Sequence, residues 1–249
     1  SLVDNFNHNR TPHERIEDDD RIYMALSAGW QTAEASPVRP SVQDEYEHVG
    51  YYLANPLYRI VPALYESLAR SLQEVYGVAV KLPRLLSFAS WVGGDMDGNP
   101  NVGSDTIASS LASQRAQVLE RYLEDINALA HQLSQTEGRV GVARGLRTRL
   151  ADYRERFPDA AAKIRPRHLD MPYRCFLVLI GARLEATRDD QKDGYTSAAE
   201  LTDDLQLIAD SLFDNLGLHA GAYAVERLIC RVRSFGFHLA RLDLRQDSR

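Results

Sequence analysis

The chain has 249 residues, of which 44% are hydrophobic and 26% charged, a balance too apolar for a disordered chain and ample for one large core or two small ones. Its formal charge of −6 offers no cationic field to release counterions from a phosphate backbone, which argues against nucleic acid as a partner. It has no apolar run long enough to span a bilayer and no charged-then-apolar leader at its start, which argues against a membrane partner.

In chain order, Ile16, Ile22, Tyr23, Leu26 and Trp30 fall at helical spacing behind Pro12, predicting a helix from Arg15 to Glu34. Ser36-Pro37 and Arg39-Pro40 break it, since proline biases the preceding residue away from helix. Ser41 with Asp44 then reads as a capping box, and Val42, Tyr46, Val49 and Leu53 share the face behind it. Asn55-Pro56 and Pro62 interrupt the segment, which continues through Ile60, Leu64, Leu68, Leu72 and Val75 to a stop at Gly77. Long kinked helices are expected.

Ser104 or Asp105 is expected to cap the next helix, whose stripe of Ile107, Leu111, Val118, Tyr122, Ile126, Leu129 and Leu133 runs on toward Gly138. Shorter helices follow at about 141–156, 158–164 and 172–188, the last apolar enough around Phe176 to Ile180 to be central. After an exposed loop at 189–194, Ser197 and Glu200 read as a second capping box. It opens a helix through Leu201, Leu205, Ile208, Leu212 and Leu216, and a final helix covers about 221–235 with Gly236 behind it. Cys175 and Cys230 lie in apolar helical stretches, as small buried hydrophobes would, and fit a reducing cytoplasm.

Two stretches depart from helix. RLLSFASWV, from Arg84 to Val92, is short, aromatic and branched, and stops at Gly93-Gly94. FHLARLDLR, from Phe237 to Arg245, alternates. As a strand it would turn Leu239, Arg241, Asp243 and Arg245 one way and Ala240, Leu242 and Leu244 the other. An exposed edge strand and a barrel strand with a polar site at its carboxyl end both fit this pattern.

The densest chemistry lies in WVGGDMDGNPN, from Trp91 to Asn101. Gly93, Gly94 and Gly98 permit unusual torsions, and Asp95, Asp97, Asn99 and Asn101 can bond the loop to itself. A calcium loop counted from Asp95 would put Pro100 and Thr106 where glycine and glutamate are required, and a Walker loop lacks its Gly-Lys-Ser/Thr. The seven histidines show no zinc spacing, and neither cysteine has a nucleophile signature, so no metal site is expected here. Arg241 and Arg245, on either side of Asp243, can present guanidinium groups to a phosphate or carboxylate while Asp243 holds one of them. Ordinary salt bridges are the commoner use of such a pattern.

SFASWVGGDMDGNPNV resembles the phosphoenolpyruvate carboxylase signature S-W-M-G-G-D-R-D-G-N-P-N-V, and FGFHLARLDLRQDSR resembles that family's F-G-x-x-L-x-R-L-D-I-R-Q-[ED]-S-x-R. MPYRCFLVLIGARLEAT, YTSAAELTDDLQLIADSLFDNLG and RPSVQDE resemble further family segments in the same order. The resemblance implies a mainly α architecture: a helical fragment of a modified TIM-like (β/α) barrel, with two short barrel strands near 84–92 and 237–245 and the site at the strand ends. On this reading the chain is a single internal fragment, 1–249. Residues 1–83 supply N-terminal helices, 84–103 a strand and glycine-rich loop, 104–236 a helical region, and 237–249 the second strand and its active-site end.

The implied activity joins bicarbonate to phosphoenolpyruvate through carboxyphosphate and an enolate, giving oxaloacetate and phosphate, with magnesium or manganese in the full-length enzyme and none bound by this piece. Carried over by position, Arg245 would contact the phosphoryl group, with Arg241 beside it. Trp91 would line the substrate pocket, and Gly93, Gly94, Asp95, Asp97, Gly98 and Asn99 would order the loop. Met96 departs from the family's usual arginine. The family's catalytic histidine motif and metal ligands have no counterpart here, so the chain alone is expected to be inactive and to need the remainder of its own chain, in a cytoplasmic homotetramer. The competing expectation is a helical scaffold or interaction domain of the same descent that has lost its chemistry.

Overall fold

A computed structural model of the chain describes residues 11–32, 41–97 and 101–246. The chain divides into two units, 1–41 and 42–249. In the first, α1 (Pro12–Gln31) starts three residues earlier than predicted, because Pro12 occupies the first helical turn rather than preceding it. Thr11 and Glu14 form a reciprocal capping box in front of it. No residue of α1 is buried, and Trp30 is 92% exposed. The predicted end at Glu34 and the proline breaks at 36–40 lie outside the described residues.

In the second unit, α2 (Val42–Tyr52) and α3 (Tyr58–Tyr76) are joined by a π-helical turn, Leu53–Leu57, that contains Pro56. A proline donates no amide hydrogen to the preceding turn, so carbonyls there must take other donors. The Asn55 side-chain amide donates to the Tyr51 carbonyl at 3.0 Å. Pro62 lies within α3 and leaves the Tyr58 carbonyl without its helical donor; Arg231 Nε supplies the bond instead, at 3.1 Å. The same guanidinium pairs with Asp125 at 2.8 Å and stacks over the Tyr58 ring, whose hydroxyl donates to Asp125 at 2.7 Å. Gly77, at φ +68, closes α3 as predicted.

The core is built on α4 (Ser104–Gln132) and α7 (Pro172–Arg188), which pack along each other. Gly181 faces α4 at this contact, where a Cβ would meet Ile126 at 3.7 Å, an ordinary van der Waals distance. α7 is the central helix that its apolar run predicted, with Tyr173, Phe176, Leu177 and Ile180 fully buried. Around the pair stand α5 (Arg144–Arg156), α6 (Pro158–Ala162), α8 (Ala198–Asp214) and α9 (Tyr223–Phe235). α4 is capped by Gly103 rather than by Ser104 or Asp105, with the Thr106 hydroxyl accepting from the Gly103 amide, and it ends at Gln132 rather than nearer Gly138. α9 begins two residues later than predicted, because Gly221 at φ +115 ends the preceding π turn in a non-helical kink.

The predicted capping box at Ser197 does not form, because Glu200 is drawn elsewhere. It accepts from Thr196 and from Arg183, which belongs to a buried cluster around Asp204. The Asp204 carboxylate is fully buried and accepts from the Tyr153 hydroxyl, from the Tyr195 hydroxyl at 2.8 Å and from Arg149 at 2.8 Å. Arg183 lies 3.7 Å away and 4.0 Å above the Tyr195 ring. Burial pushes the Asp204 carboxyl above its usual range, against the pull of the tyrosine hydroxyls and the guanidiniums.

Both predicted strands are far shorter than the stretches that suggested them. β1 is Ala89–Ser90 and β2 is Arg241–Leu242, paired in parallel with Ala89 opposite Arg241. Strand length needs neighbours on both sides, and among the described residues each strand has one. The alternation predicted for 237–245 also fails at its start. Leu239 takes φ +52, so Leu239 and Ala240 are buried in succession; beyond them only Leu242 is half-buried between exposed neighbours, and Leu244, predicted on the apolar face, is 60% exposed.

Replacing Asp204 with alanine strands two hydroxyls and a buried guanidinium, and is expected to cost about 3–5 kcal/mol. Urea unfolding of the variant tests this; a loss under about 1 kcal/mol, the worth of an exposed pair, would mean that the cluster is not a buried ionic anchor.

Candidate active site

Where β1 ends, the chain turns tightly. The Gly94 amide donates to the Trp91 carbonyl at 2.9 Å, and Gly93 takes φ +82 at the position where such a turn needs a left-handed residue. The loop then returns to the end of β2. The Arg245 amide donates to the Gly94 carbonyl at 3.0 Å and the Met96 amide donates to the Arg245 carbonyl at 2.8 Å, so Asp95 and Arg245 form a parallel bridge. This clip stacks the Arg245 guanidinium over the Trp91 ring, 5.1 Å from its centroid.

The two glycines are required by their neighbours. A Cβ on Gly94 would lie 2.6 Å from the Asp243 carbonyl oxygen, and one on Gly93 would lie 2.2 Å from Ser110 Oγ on α4. Asp95 Oδ1 accepts from the Asp97 amide at 3.3 Å, a local bond of the kind predicted for this loop. Gly98 and Asn99 lie outside the described residues.

Arg241 sits at the start of β2 and shares the exposed side of the segment with Asp243 and Arg245. Among the described residues neither arginine pairs with Asp243, so the aspartate does not hold a guanidinium in place as predicted. The Arg245 cation and a half-exposed indole therefore share one corner, with Arg241 four residues earlier in the same segment. That corner can accept an anion beside an apolar surface. A cavity of about 250 Å3, lined by Tyr65, Glu66, Lys81, Arg84, Cys230 and Arg233 among others, does not include Trp91 or Arg245.

Among the described residues no group of three or more His, Cys, Asp or Glu side chains could hold a metal ion. No described helix is long and apolar enough to cross a membrane. The sequence reading missed Ser110 and Gln114, which are buried on α4 beneath this corner. They follow the same four-residue spacing as Val118 and Tyr122, but a search for apolar stripes passes over them.

The model of the phosphoenolpyruvate carboxylase family matches residues 1–249. The chain belongs to the phosphoenolpyruvate carboxylase family. It is similar to a phosphoenolpyruvate carboxylase of Xanthomonas oryzae pv. oryzae, 58% identical over 248 residues, which cover 100% of this chain and 27% of that protein. Relatives of the same name from Aromatoleum aromaticum, 36% identical over 96% of this chain, and Roseiflexus castenholzii, 32% identical over 94%, match along the same span. The chain thus spans about a quarter of the length of these carboxylases, 27% of the Aromatoleum protein and 26% of the Roseiflexus one. The two stretches that carry the carboxylase signatures, far apart in sequence, are the two that the parallel pairing joins.

Gly94→Ala is expected to destabilise the chain by about 1–3 kcal/mol, as overpacking against a backbone atom does. Gly138→Ala, where a Cβ meets nothing within 4 Å, is the matched control and should stay within about 0.5 kcal/mol. Thermal melts of both variants check this, and equal shifts would mean that the loop is not pressed against β2.

Proposed function

We propose that this chain is the part of a phosphoenolpyruvate carboxylase that presents Trp91, Arg241 and Arg245 to the substrate. The whole enzyme would convert phosphoenolpyruvate and bicarbonate to oxaloacetate and phosphate, as a cytoplasmic homotetramer. The observation that carries the reading is the guanidinium of Arg245 over the Trp91 ring, at the carboxyl ends of two parallel strands. Strand ends of this kind, in a fragment of a modified (β/α) barrel, are where such folds place their chemistry.

Bicarbonate oxygen attacks the phosphorus, the bond from phosphorus to the enol oxygen breaks, and carboxyphosphate and an enolate result. The enolate carbon then takes up the carboxyl carbon, and phosphate leaves. Negative charge is concentrated at the phosphoryl group throughout, and fixed guanidiniums stabilise it without reorganising as it develops. Arg245 suits that task, because the backbone clip on both its amide and its carbonyl fixes where its side chain starts. Arg241 adds a second positive charge to the same side. The indole of Trp91 excludes water from one flank and would take the apolar methylene of the substrate. Magnesium or manganese in the whole enzyme would neutralise charge on the same anions. Among the described residues no group of three or more His, Cys, Asp or Glu supplies a ligand set for it.

The scaffold alternative drew its support from Met96. Its contribution to the clip is the backbone amide, which any residue but proline supplies, so methionine at this place leaves the loop attached. In the full-length protein Arg245→Ala is expected to lower kcat/KM for phosphoenolpyruvate by about 10²–10³-fold, the usual loss of one preorganised donor to developing charge. The 249-residue chain by itself is expected to show no oxaloacetate formation in a coupled assay. Near-normal turnover in the full-length variant would remove the role given to Arg245.

A further inference from the structure

Ser110, Gln114, Val118 and Tyr122 recur every four residues along α4, so they form one stripe, and all four are buried. Three of them carry polar atoms, and buried polar atoms must find partners. Each finds its neighbour in one of the two segments that meet at the candidate site. Ser110 fills the space above Gly93 in the loop. Gln114 Oε1 accepts from the Ala240 amide at 3.3 Å, and the Tyr122 hydroxyl donates to the Gly236 carbonyl at 2.7 Å.

The bond from Gln114 falls at a strained place. The Ala240 amide also faces the His238 carbonyl across a tight turn centred on Leu239, a non-glycine residue at φ +52 with only 1% of its surface exposed. A branched side chain in the left-handed region persists only where the surroundings over-determine it. Two features meet that requirement here: burial of the leucine side chain, and the acceptor that Gln114 offers to the next amide. The turn sets the phase of everything after it, because β2 begins at Arg241, and a slip of one residue would move Arg245 to the other face.

We propose that Gln114 is a positioning residue: its side-chain oxygen holds the turn at Leu239 and so sets the register that places Arg245 over Trp91. This rests on the functional reading above for its effect on catalysis, but not for its effect on the turn. α4 then acts as a ruler, with Ser110 seating the loop and Gln114 and Tyr122 seating the approach to β2.

The test uses the full-length protein with two substitutions. Gln114→Met removes the acceptor at similar volume, and Gln114→Glu keeps an oxygen acceptor at the same reach. Amide exchange read on peptides spanning 236–246 should quicken about ten-fold or more in the methionine variant, as a local opening becomes easier. Its kcat/KM for phosphoenolpyruvate should fall about 10–100-fold, in line with the cost of displacing a positioned group by an ångström. The glutamate variant should retain most of both properties. Wild-type exchange and kcat/KM in Gln114→Met, or equal impairment in the two variants, would overturn the proposal. Should the full-length protein not carboxylate phosphoenolpyruvate at all, the functional reading falls, and the exchange measurements alone decide whether Gln114 holds the turn.

Discussion

A short parallel pairing between two segments some 150 residues apart is the constraint on which this structure turns. β1 and β2 contribute only two residues each, and beyond them the ladder continues as single bonds from Gly94 to Arg245 and from Arg245 to Met96. So small a pairing has little stability of its own, because two-stranded ribbons are marginal in water. It survives because both segments are seated on α4, and the glycines of the loop allow that seat to be close. The stacking of Arg245 on Trp91 is a consequence of this register.

The seat must itself be rigid, and the helical body supplies that rigidity through two polar centres inside an apolar core. Asp204 on α8 gathers Tyr153 and Arg149 from α5, Arg183 from α7 and Tyr195 from the loop ahead of α8. Asp125 and Arg231 join α4 to α9 and repair the carbonyl that Pro62 leaves open in α3. Such centres contribute less to net stability than apolar packing of the same volume, but they tolerate fewer alternative arrangements. Tyr122 links the body to the site, for it is fully buried in the core and its hydroxyl holds Gly236 at the end of α9. The Phe237 ring follows at once, 6.4 Å from Tyr122 and 6.5 Å from Tyr195, so the chain enters β2 along a path lined by both centres.

Arg241 and Arg245 bond to no carboxylate among the described residues, and Asp243 lies between them on the same exposed side. Solvent screens charges placed this way, so the arrangement costs little in isolation. An anionic substrate would supply the missing charge, and its exclusion of water would strengthen each interaction. On the proposed reading, the exposed indole of Trp91 would serve as the apolar wall beside that substrate.

Much of this was readable in the residues themselves. The helical body follows from apolar spacing, and α7 was marked as central by its composition, because a helix apolar on all sides has to be buried. Gly77 and Gly93 marked their turns, since few other residues accept those torsions, and Gly94 marked a close backbone approach. The loop and the segment carrying Arg245 stood out by their residue types and by their resemblance to family signatures, although a rigid turn and ordinary salt bridges fitted the residues taken alone. Tertiary structure alone decided the rest. Ser197 loses its partner to a buried arginine, Leu239 leaves the strand pattern at φ +52, and Ser110 and Gln114 take buried places against Gly93 and the Ala240 amide. Each of these depends on a neighbour distant in sequence, and local periodicity holds no information about which distant group will occupy the adjoining space.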